Sequence, residues 1–493
     1  MTMTVGELFI ALVTIALVLL ASNALRLWLP WLRRLFLPSS VIGGLLLLLL
    51  GPDVIGRALP PIFEDSPGLF PAYVQESWSA LPALLINVVF AALFIGKTIP
   101  GLRTIWLRAG PQVVVGQTMA WGQYVVGLTL ALLVLVPIFN MNPMVGALIE
   151  IGFEGGHGTA AGMADTFSEL GFEEGADLAL GLATIGIVSG VLIGTVVINI
   201  AARRGVVKLD DEIDRGLDGE KSDPDNLMRD DERPSTEEFS EFKKDLVQEA
   251  GTTDPLSLHI GLVGIAIVIG WLLLSGLQWI EQVTWARNDG LEILAHVPLF
   301  PIAMIGGVIL QLIVMRFRLE RHVSARTMSR IAGTALDFTI VAALATLSLT
   351  TLGDYFVPFL LLALAGIGWS LFVLIVIAPR VIPENWFERG IGDFGQSMGV
   401  TVTGLLLMRM ADPKNKSGAL ESFGYKQLMF EPVVGGGLFT AAALPLIAQF
   451  GALSVLIFTG LLTVGWLTFG LLYFGRMVPE RGNGRWNKQS SKD

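Results

Sequence analysis

Residues 149–165 read IEIGFEGGHGTAAGMAD, a glycine-rich and partly charged stretch in an otherwise strongly apolar chain. Its glycines surround Glu154, His157 and Thr159. Glycine releases the backbone from helical geometry and lets N–H and C=O groups face a ligand. Inside a membrane, such irregular backbone is tolerated only where it is buried in protein or lines a watery cavity. The stretch therefore predicts a broken helical segment at membrane depth rather than an ordinary extramembrane loop.

A second stretch of this kind, IGDFGQSMGVTVTGLLLMRMAD, occupies residues 391–412 and also ends in Met-Ala-Asp. It predicts another broken segment near residues 391–410. A further pair of similar sequences, PSSVIGG and PIAMIGG, begins at Pro38 and Pro301. Because the matches recur in the same order, and the second half of the predicted topology begins on the opposite side of the membrane, they indicate two inverted repeats.

Composition excludes several classes of protein. Of the 493 residues, 53% are hydrophobic and 15% are charged, whereas ordinary soluble domains are about 25% charged. The chain has no cysteine, which excludes disulfides, iron–sulfur clusters and a cysteine nucleophile. Its four histidines lack helical ligand spacing, and no phosphate-binding P-loop motif is present. The composition predicts an all-α polytopic membrane protein, and transport by it would use an ion gradient.

Spanning a hydrocarbon core of about 30 Å takes about 20 apolar residues in a helix. The hydropathy pattern predicts eleven spans, near residues 5–25, 38–58, 81–99, 111–138, 177–201, 256–278, 298–316, 335–352, 355–378, 431–449 and 453–474. Lys and Arg residues collect on one side of this map, and the positive-inside rule makes that side cytoplasmic. We therefore predict a bacterial inner (plasma) membrane protein with its N-terminus outside and its C-terminus in the cytoplasm.

The net charge of −10 belongs to a single segment, because residues 205–254 hold 17 acidic and 7 basic side chains. This segment is too polar to bury a core, and we predict a cytoplasmic linker with a helical patch near residues 236–249. The chain then divides into an N-terminal transmembrane repeat, an acidic linker, a C-terminal transmembrane repeat, and an extra transmembrane helix with a basic tail: residues 1–202, 203–255, 256–450 and 451–493.

Oxygen-bearing side chains gather in both glycine-rich stretches. Ionisable groups inside a membrane are costly and mark functional sites, and broken helices hold Na⁺ with backbone oxygens. The predicted Na⁺ ligands are Glu154, Thr159, Asp393 and Thr401. The polar substrate-binding candidates are His157, Thr159, Gln396, Ser397, Thr401 and Thr403. For His157, a structural hydrogen bond is as good an interpretation as ligand contact.

Arg409 follows the apolar LLLM run of the second stretch. Its planar guanidinium can hold a carboxylate through two hydrogen bonds, so it is a candidate for a substrate's side-chain carboxylate. Its neighbours Asp412, Lys414 and Lys416 equally favour an anchor at the cytoplasmic surface. The residues alone leave both interpretations open. Other polar residues in the spans are predicted to join helices: Asn87, Gln117, Gln123, Asp337 and Glu431.

The segment around Leu352-Gly353-Asp354 is similar to the catalytic segment of intramembrane aspartyl proteases. Such an enzyme needs a second aspartate to share the acid and base roles. No tyrosine of this chain is followed by aspartate, so the partner motif is missing. The sequence therefore argues against an enzyme.

Three stretches resemble the sodium/glutamate symporter family, which is distantly similar to the 2-hydroxycarboxylate transporters. They are PSSVIGGLLLLLLGP at residues 38–52, IGFEGGHGTAAGM at 151–163 and FGQSMGVTVTGLLLMRMADP at 394–413. The resemblance implies a homodimer of inverted five-helix repeats with two re-entrant hairpins, moving L-glutamate with Na⁺ by an elevator-type mechanism, without an organic cofactor. It places on the first hairpin Gly155, Gly156, His157, Gly158 and Thr159, and on the second Gly399, Val400, Thr401, Val402 and Thr403.

The chain departs from that family's pattern after the second hairpin, where GLLLMRMADP with Arg409 replaces a polar tract. This departure bears on the substrate more than on transport itself. An alternative is therefore a Na⁺-coupled di- or hydroxycarboxylate carrier, and a passive anion channel is a further one. Accumulation of the substrate against its gradient distinguishes the carriers from the channel, because a channel cannot produce it.

Overall fold

The structure is a computed structural model, and it describes residues 5–29, 37–58, 69–207, 255–287, 294–413 and 415–478. Over these residues the regular structure is entirely helical. In this part of the chain, 9 helices are long and apolar enough to cross a membrane, and two shorter apolar helices accompany them. The prediction of an all-α polytopic membrane protein is confirmed. Most of the acidic linker, including residues 236–249 where we predict a helical patch, and most of the basic tail lie outside the described residues.

The helices follow each other in two halves. The first half contains α1 Val5–Trp28, α2 Ser39–Leu50, α3 Ala72–Ala92, α4 Leu102–Phe139 and α5 Glu174–Arg203. The second half contains α6 Pro255–Val283, α7 Leu299–Arg316, α8 Ala325–Ala345, α9 Phe356–Val381, α10 Ala419–Phe430, α11 Leu438–Phe450 and α12 Ala452–Met477. Broken helical segments precede α5 and α10, at residues 143–169 and Trp386–Ala411.

Some helix bounds differ from the predicted spans. Helix α8 begins ten residues before the predicted start at residue 335, because its first turns carry Arg326 and Arg330 and lower the local hydropathy. The predicted span 431–449 begins as a helix only at Leu438. Gly435 and Gly436 there have left-handed backbone, which interrupts the helix, while a hydropathy window registers glycine as nearly neutral.

The helices pack into two bundles. The first bundle contains α1, α2, α3, α6, α7 and α8, and the hairpin bundle contains α4, α5, α9–α12 and both broken segments. Small residues let the helices of the first bundle approach closely: a Cβ built on Gly307 would lie 2.2 Å from the carbonyl oxygen of Ala91. In the hairpin bundle, a Cβ on Gly186 would lie 2.1 Å from the carbonyl oxygen of Met398. Such contacts are typical of membrane helices, where close backbone packing replaces the hydrophobic effect.

Candidate functional site

The second broken segment, Trp386–Ala411, is a helical hairpin. Its helix is interrupted at Gly399 (φ −161°, ψ 48°) and at Val400, whose φ of 58° is left-handed. The two arms run back along each other, since a Cβ on Gly395 would lie 2.7 Å from the Cα of Gly404. At the open end, Asn385 Nδ2 donates a hydrogen bond of 3.0 Å to the carbonyl oxygen of Ser417. We call this segment the second hairpin.

The first broken segment, residues 143–169, has the same plan with shorter pieces. A π-helical turn at Glu150–Glu154 leads to Gly156, which has a left-handed φ of 71°, and a helix then covers Gly156–Gly162. The segment closes where Asn142 Nδ2 donates a 3.5 Å hydrogen bond to the carbonyl oxygen of Gly171. We call this segment the first hairpin.

The tips of the two hairpins meet. A Cβ built on Gly156 would lie only 2.4 Å from Val400 Cγ1. A third interruption, between α10 and α11, reaches the same place, because a Cβ on Gly436 would lie 2.6 Å from Thr159 Oγ1. Three stretches of non-helical backbone from distant parts of the chain therefore converge. Such backbone offers free N–H and C=O groups to a ligand in an otherwise apolar membrane protein.

Two buried glutamates line the first hairpin beside this junction. Glu150 accepts 2.8 Å hydrogen bonds from the backbone N–H of Gly435 and the hydroxyl of Thr440, and a third from the hydroxyl of Tyr124. Glu154 is 3% exposed, and its Oε2 atom is buried with no hydrogen-bond partner among the described residues. Thr159 Oγ1 is also buried and has no hydrogen-bond partner among the described residues. Two hard oxygen atoms are thus available to a cation close to the tips.

A network of polar side chains fills the second hairpin and reaches α10. Lys426 Nζ donates to Asp393 Oδ1 at 2.9 Å and to Gln396 Oε1 at 2.8 Å. Gln427 Nε2 also donates to Gln396 Oε1, at 3.0 Å. Nearer the tip, the Thr401 hydroxyl donates to Glu431 Oε1 at 2.9 Å. These contacts connect the arm before the break (the inner arm, residues 386–398) with α10, and the arm after it (the outer arm, residues 401–411) with the interruption between α10 and α11.

The structure brings most of the predicted site residues to the junction. The glycines 155, 156 and 399 form the tips, and Thr159 and Thr401 lie beside them. Glu154 and Asp393 are buried on their hairpins. Three predicted residues have hydrogen-bond partners within the protein instead: His157 Nε2 lies 2.9 Å from Thr184 Oγ1 of α5, Ser397 Oγ donates to the carbonyl oxygen of Asp393, and Thr403 Oγ1 donates to that of Gly399. Gly158 packs against Ile86 of α3.

Arg409 lies apart from the junction. It is half-buried near the end of the outer arm, eight residues beyond Thr401. With a rise of about 1.5 Å per residue, that position is about 12 Å along the helix from the tip. This placement favours the second interpretation of Arg409, an anchor near the surface.

Sequence reasoning missed Lys426, Tyr124, Thr440 and Gly435. Lys426 is 0% exposed, and the available signal was a single lysine in the apolar run FGYKQLMF. No group of three or more His, Asp or Glu side chains in the described ranges could hold a metal ion. A cation at the junction would therefore use hydroxyl and backbone oxygens along with a carboxylate.

Comparison with known proteins agrees with this architecture. The family model described as sodium/glutamate symporter matches residues 106–411, more than half of the chain, from α4 through the second hairpin. Searches of curated proteins and of solved structures found no match. The matched range contains both hairpins. The chain therefore belongs to the sodium/glutamate symporter family, and it is a Na⁺-coupled membrane transporter.

Proposed function

We propose that this protein carries L-glutamate together with Na⁺ across the bacterial inner membrane, and that both bind where the hairpin tips meet. The observation that carries the proposal is the convergence of three helix interruptions beside buried oxygen atoms of Glu154 and Thr159, which have no hydrogen-bond partner within the described residues. Unpaired polar atoms are expensive inside a membrane protein. A Na⁺ ion bound by them during transport would remove that cost.

The second hairpin supplies the groups proposed for the substrate. Its outer arm begins a new helix after Val400, so the first N–H groups of this arm have no partner within the helix. The positive end of a helix dipole attracts an anionic group. The substrate's α-carboxylate is proposed to bind these N–H groups and the hydroxyl of Thr401. The amide side chains of Gln396 and Gln427 lie on the same side as Thr401, since Gln427 Nε2 is 3.4 Å from its hydroxyl oxygen.

An elevator-type movement is supported by the division of the helices. Both hairpins belong to one bundle, so a substrate bound at their tips can travel with that bundle as a unit. At the boundary between the bundles, Gly158 and Gly162 face the apolar side chain of Ile86. Smooth apolar contacts of this kind have no directional bonds to break when one bundle slides along the other. We propose a homodimer in which the first bundle stays fixed, with the N-terminus outside.

The proposal is tested by uptake of labelled L-glutamate into proteoliposomes under an inward Na⁺ gradient. K⁺ and pH gradients serve as controls. Accumulation above the external concentration only with Na⁺ is expected; equilibration alone would indicate a passive anion channel. Uptake of a dicarboxylate or hydroxycarboxylate in preference to glutamate would contradict the substrate assignment. Glutamate-dependent thermal stabilisation of the purified protein shows in parallel that it is folded and binds.

A matched pair of threonine variants locates the site. Thr401→Ala removes a hydroxyl at the hairpin tip, whereas Thr463→Ala removes a buried hydroxyl on α12 that donates to the carbonyl oxygen of Thr459. We expect T401A to raise the KM for glutamate and T463A to leave it unchanged. Equal changes in both variants would argue against a site at the tips.

A further inference from the structure

Lys426 holds its ammonium group at a fixed place inside the hairpin bundle. The side chain is fully buried, and Nζ donates to Asp393 Oδ1 at 2.9 Å and to Gln396 Oε1 at 2.8 Å. The same nitrogen lies 4.0 Å from the ring centroid of Phe430 and 5.3 Å from that of Phe423. Two oxygen atoms and two aromatic faces thus surround the ammonium, and all four interact favourably with a positive charge.

The neighbouring helix makes room for this arrangement. A Cβ on Gly116 of α4 would lie 2.4 Å from Lys426 Cε, so a residue larger than glycine at this point would displace the lysine. One turn earlier on α4, Gln112 Nε2 lies 3.3 Å from Asp393 Oδ1 and helps to orient the carboxylate. The surroundings are therefore shaped for a cation: a carboxylate oxygen, an amide oxygen and a glycine-lined space.

The two hairpins differ in what meets their carboxylates. On the first hairpin, Glu154 Oε2 and Thr159 Oγ1 are buried without hydrogen-bond partners in the described part of the chain. On the second, the ammonium of Lys426 lies on Asp393 Oδ1 and on the amide oxygen of Gln396, and of these carboxylate and amide oxygens only Asp393 Oδ2 is buried without a partner among the described residues. Carboxylate and carbonyl oxygens are also the ligands that a hard cation such as Na⁺ uses. The ammonium of Lys426 therefore occupies the position at which these oxygen atoms of the second hairpin would otherwise bind a cation.

We infer that Lys426 is a built-in cation that takes the place of a coupling Na⁺ at the second hairpin. The inference rests on the proposed Na⁺ symport. Because α10 and the second hairpin belong to the same bundle, the ammonium travels with the carboxylate in both directions and is never released. It neutralises Asp393 without consuming the ion gradient. The chain thereby couples substrate to one Na⁺ fewer than it would with a neutral residue at position 426.

The test is Lys426→Met, which keeps much of the side-chain length and removes the charge. Asp393 and Gln396 are then open to Na⁺, so we expect a new Na⁺-dependent stabilisation: a rise in Tm in NaCl over choline chloride that exceeds the wild-type rise. In transport, the Hill coefficient for Na⁺ and the number of Na⁺ ions per substrate, from reversal potentials, should increase by about one. Lys416→Met is the matched control, because Lys416 is exposed on the loop before α10.

A second variant, Asp393→Asn with Lys426→Met, removes both charges and should lose the extra Na⁺ response. A wild-type Na⁺ response in K426M, or the same extra response in the double variant, would overturn the inference. If K426M is monodisperse only when it is extracted in Na⁺, this rescue supports the inference. If K426M is misfolded both with and without Na⁺, the inference is overturned. The Tm measurement uses no glutamate, so it separates this inference from the proposed substrate.

Discussion

Gly156 and Val400 bring the two hairpins into contact, and neither residue has ordinary helical backbone. Their φ angles are 71° and 58°, and a Cβ on Gly156 would lie 2.4 Å from Val400 Cγ1. Left-handed backbone costs little for glycine but about 1–3 kcal/mol for a β-branched residue such as valine. The junction therefore stores conformational strain at the proposed binding site, which the surrounding packing has to hold in place.

The first prediction concerns this contact. Gly156→Ala should abolish most Na⁺-driven uptake, because the new methyl group meets Val400 and its left-handed backbone alone costs about 1 kcal/mol or more. Adding Val400→Ala removes the opposing Cγ1 atom and should restore part of the uptake. Gly368→Ala is the control, since a Cβ there would meet nothing within 4 Å. A double variant as inactive as G156A would show that the steric contact is unimportant.

The second prediction concerns Glu150, which joins the first hairpin to α4 and to the interruption before α11. Glu150→Gln replaces one accepting oxygen by an N–H₂ group that faces donors, so it should lower the free energy of unfolding by about 1.5–3 kcal/mol. Tyr124→Phe removes a single donor and should cost about 1 kcal/mol. Thermal unfolding of the purified protein measures both.

The exposed carboxylate of Glu421, which pairs with Arg108 at the surface, provides the control for Glu150. Glu421→Gln should change stability by less than about 1 kcal/mol, because surface ion pairs contribute little. If E150Q changed the free energy of unfolding as little as E421Q does, the three hydrogen bonds to Glu150 would not contribute to stability.

Much of the membrane fold could be predicted from the sequence, because a run of about 20 consecutive apolar residues is enough to identify each long transmembrane helix. The helix interruptions at residues 155–156 and 399–400 could also be predicted from neighbouring residues alone, because clusters of glycine disfavour a helix wherever they occur. The third interruption, at residues 431–437, fell inside a predicted span. Its glycines lie between valines and an apolar run, and hydropathy does not register the backbone conformation that breaks the helix.

The partners of the buried charges could not be predicted in the same way. Lys426 meets Asp393 across 33 positions, and Glu150 meets Gly435 across 285. Neither separation follows a helical period, so the contacts arise only when the hairpins and α10 pack together. The sequence therefore identified carboxylates on the hairpins but not the lysine that pairs with Asp393, and it offered Arg409 only as a candidate for the substrate's carboxylate or for a surface anchor.

The third prediction follows from the position of Arg409. About 12 Å of helix separates it from the tip of the second hairpin, so Arg409→Ala should change the KM for glutamate and for a neutral analogue such as glutamine by the same factor. Competition of both compounds against labelled substrate in proteoliposomes measures the ratio. A selective loss of acidic substrates would instead assign Arg409 to the substrate's side-chain carboxylate.

The fourth prediction concerns Asp412, which closes the loop after the second hairpin. Burial alone would raise the pKa of Asp412, but hydrogen bonds from Ser417 and from the backbone N–H of Lys416 outweigh burial and hold the pKa below its ordinary value. A depressed pKa adds stability above the unfolded-state pKa of about 4, and this stability is lost as the pH falls through the lower folded-state value. Asp412→Asn should therefore lower Tm at neutral pH, and the difference from the wild type should shrink as the pH falls below about 4. Ser417→Ala should give a smaller difference over the same pH range, whereas a difference independent of pH would contradict the assigned role of the carboxylate.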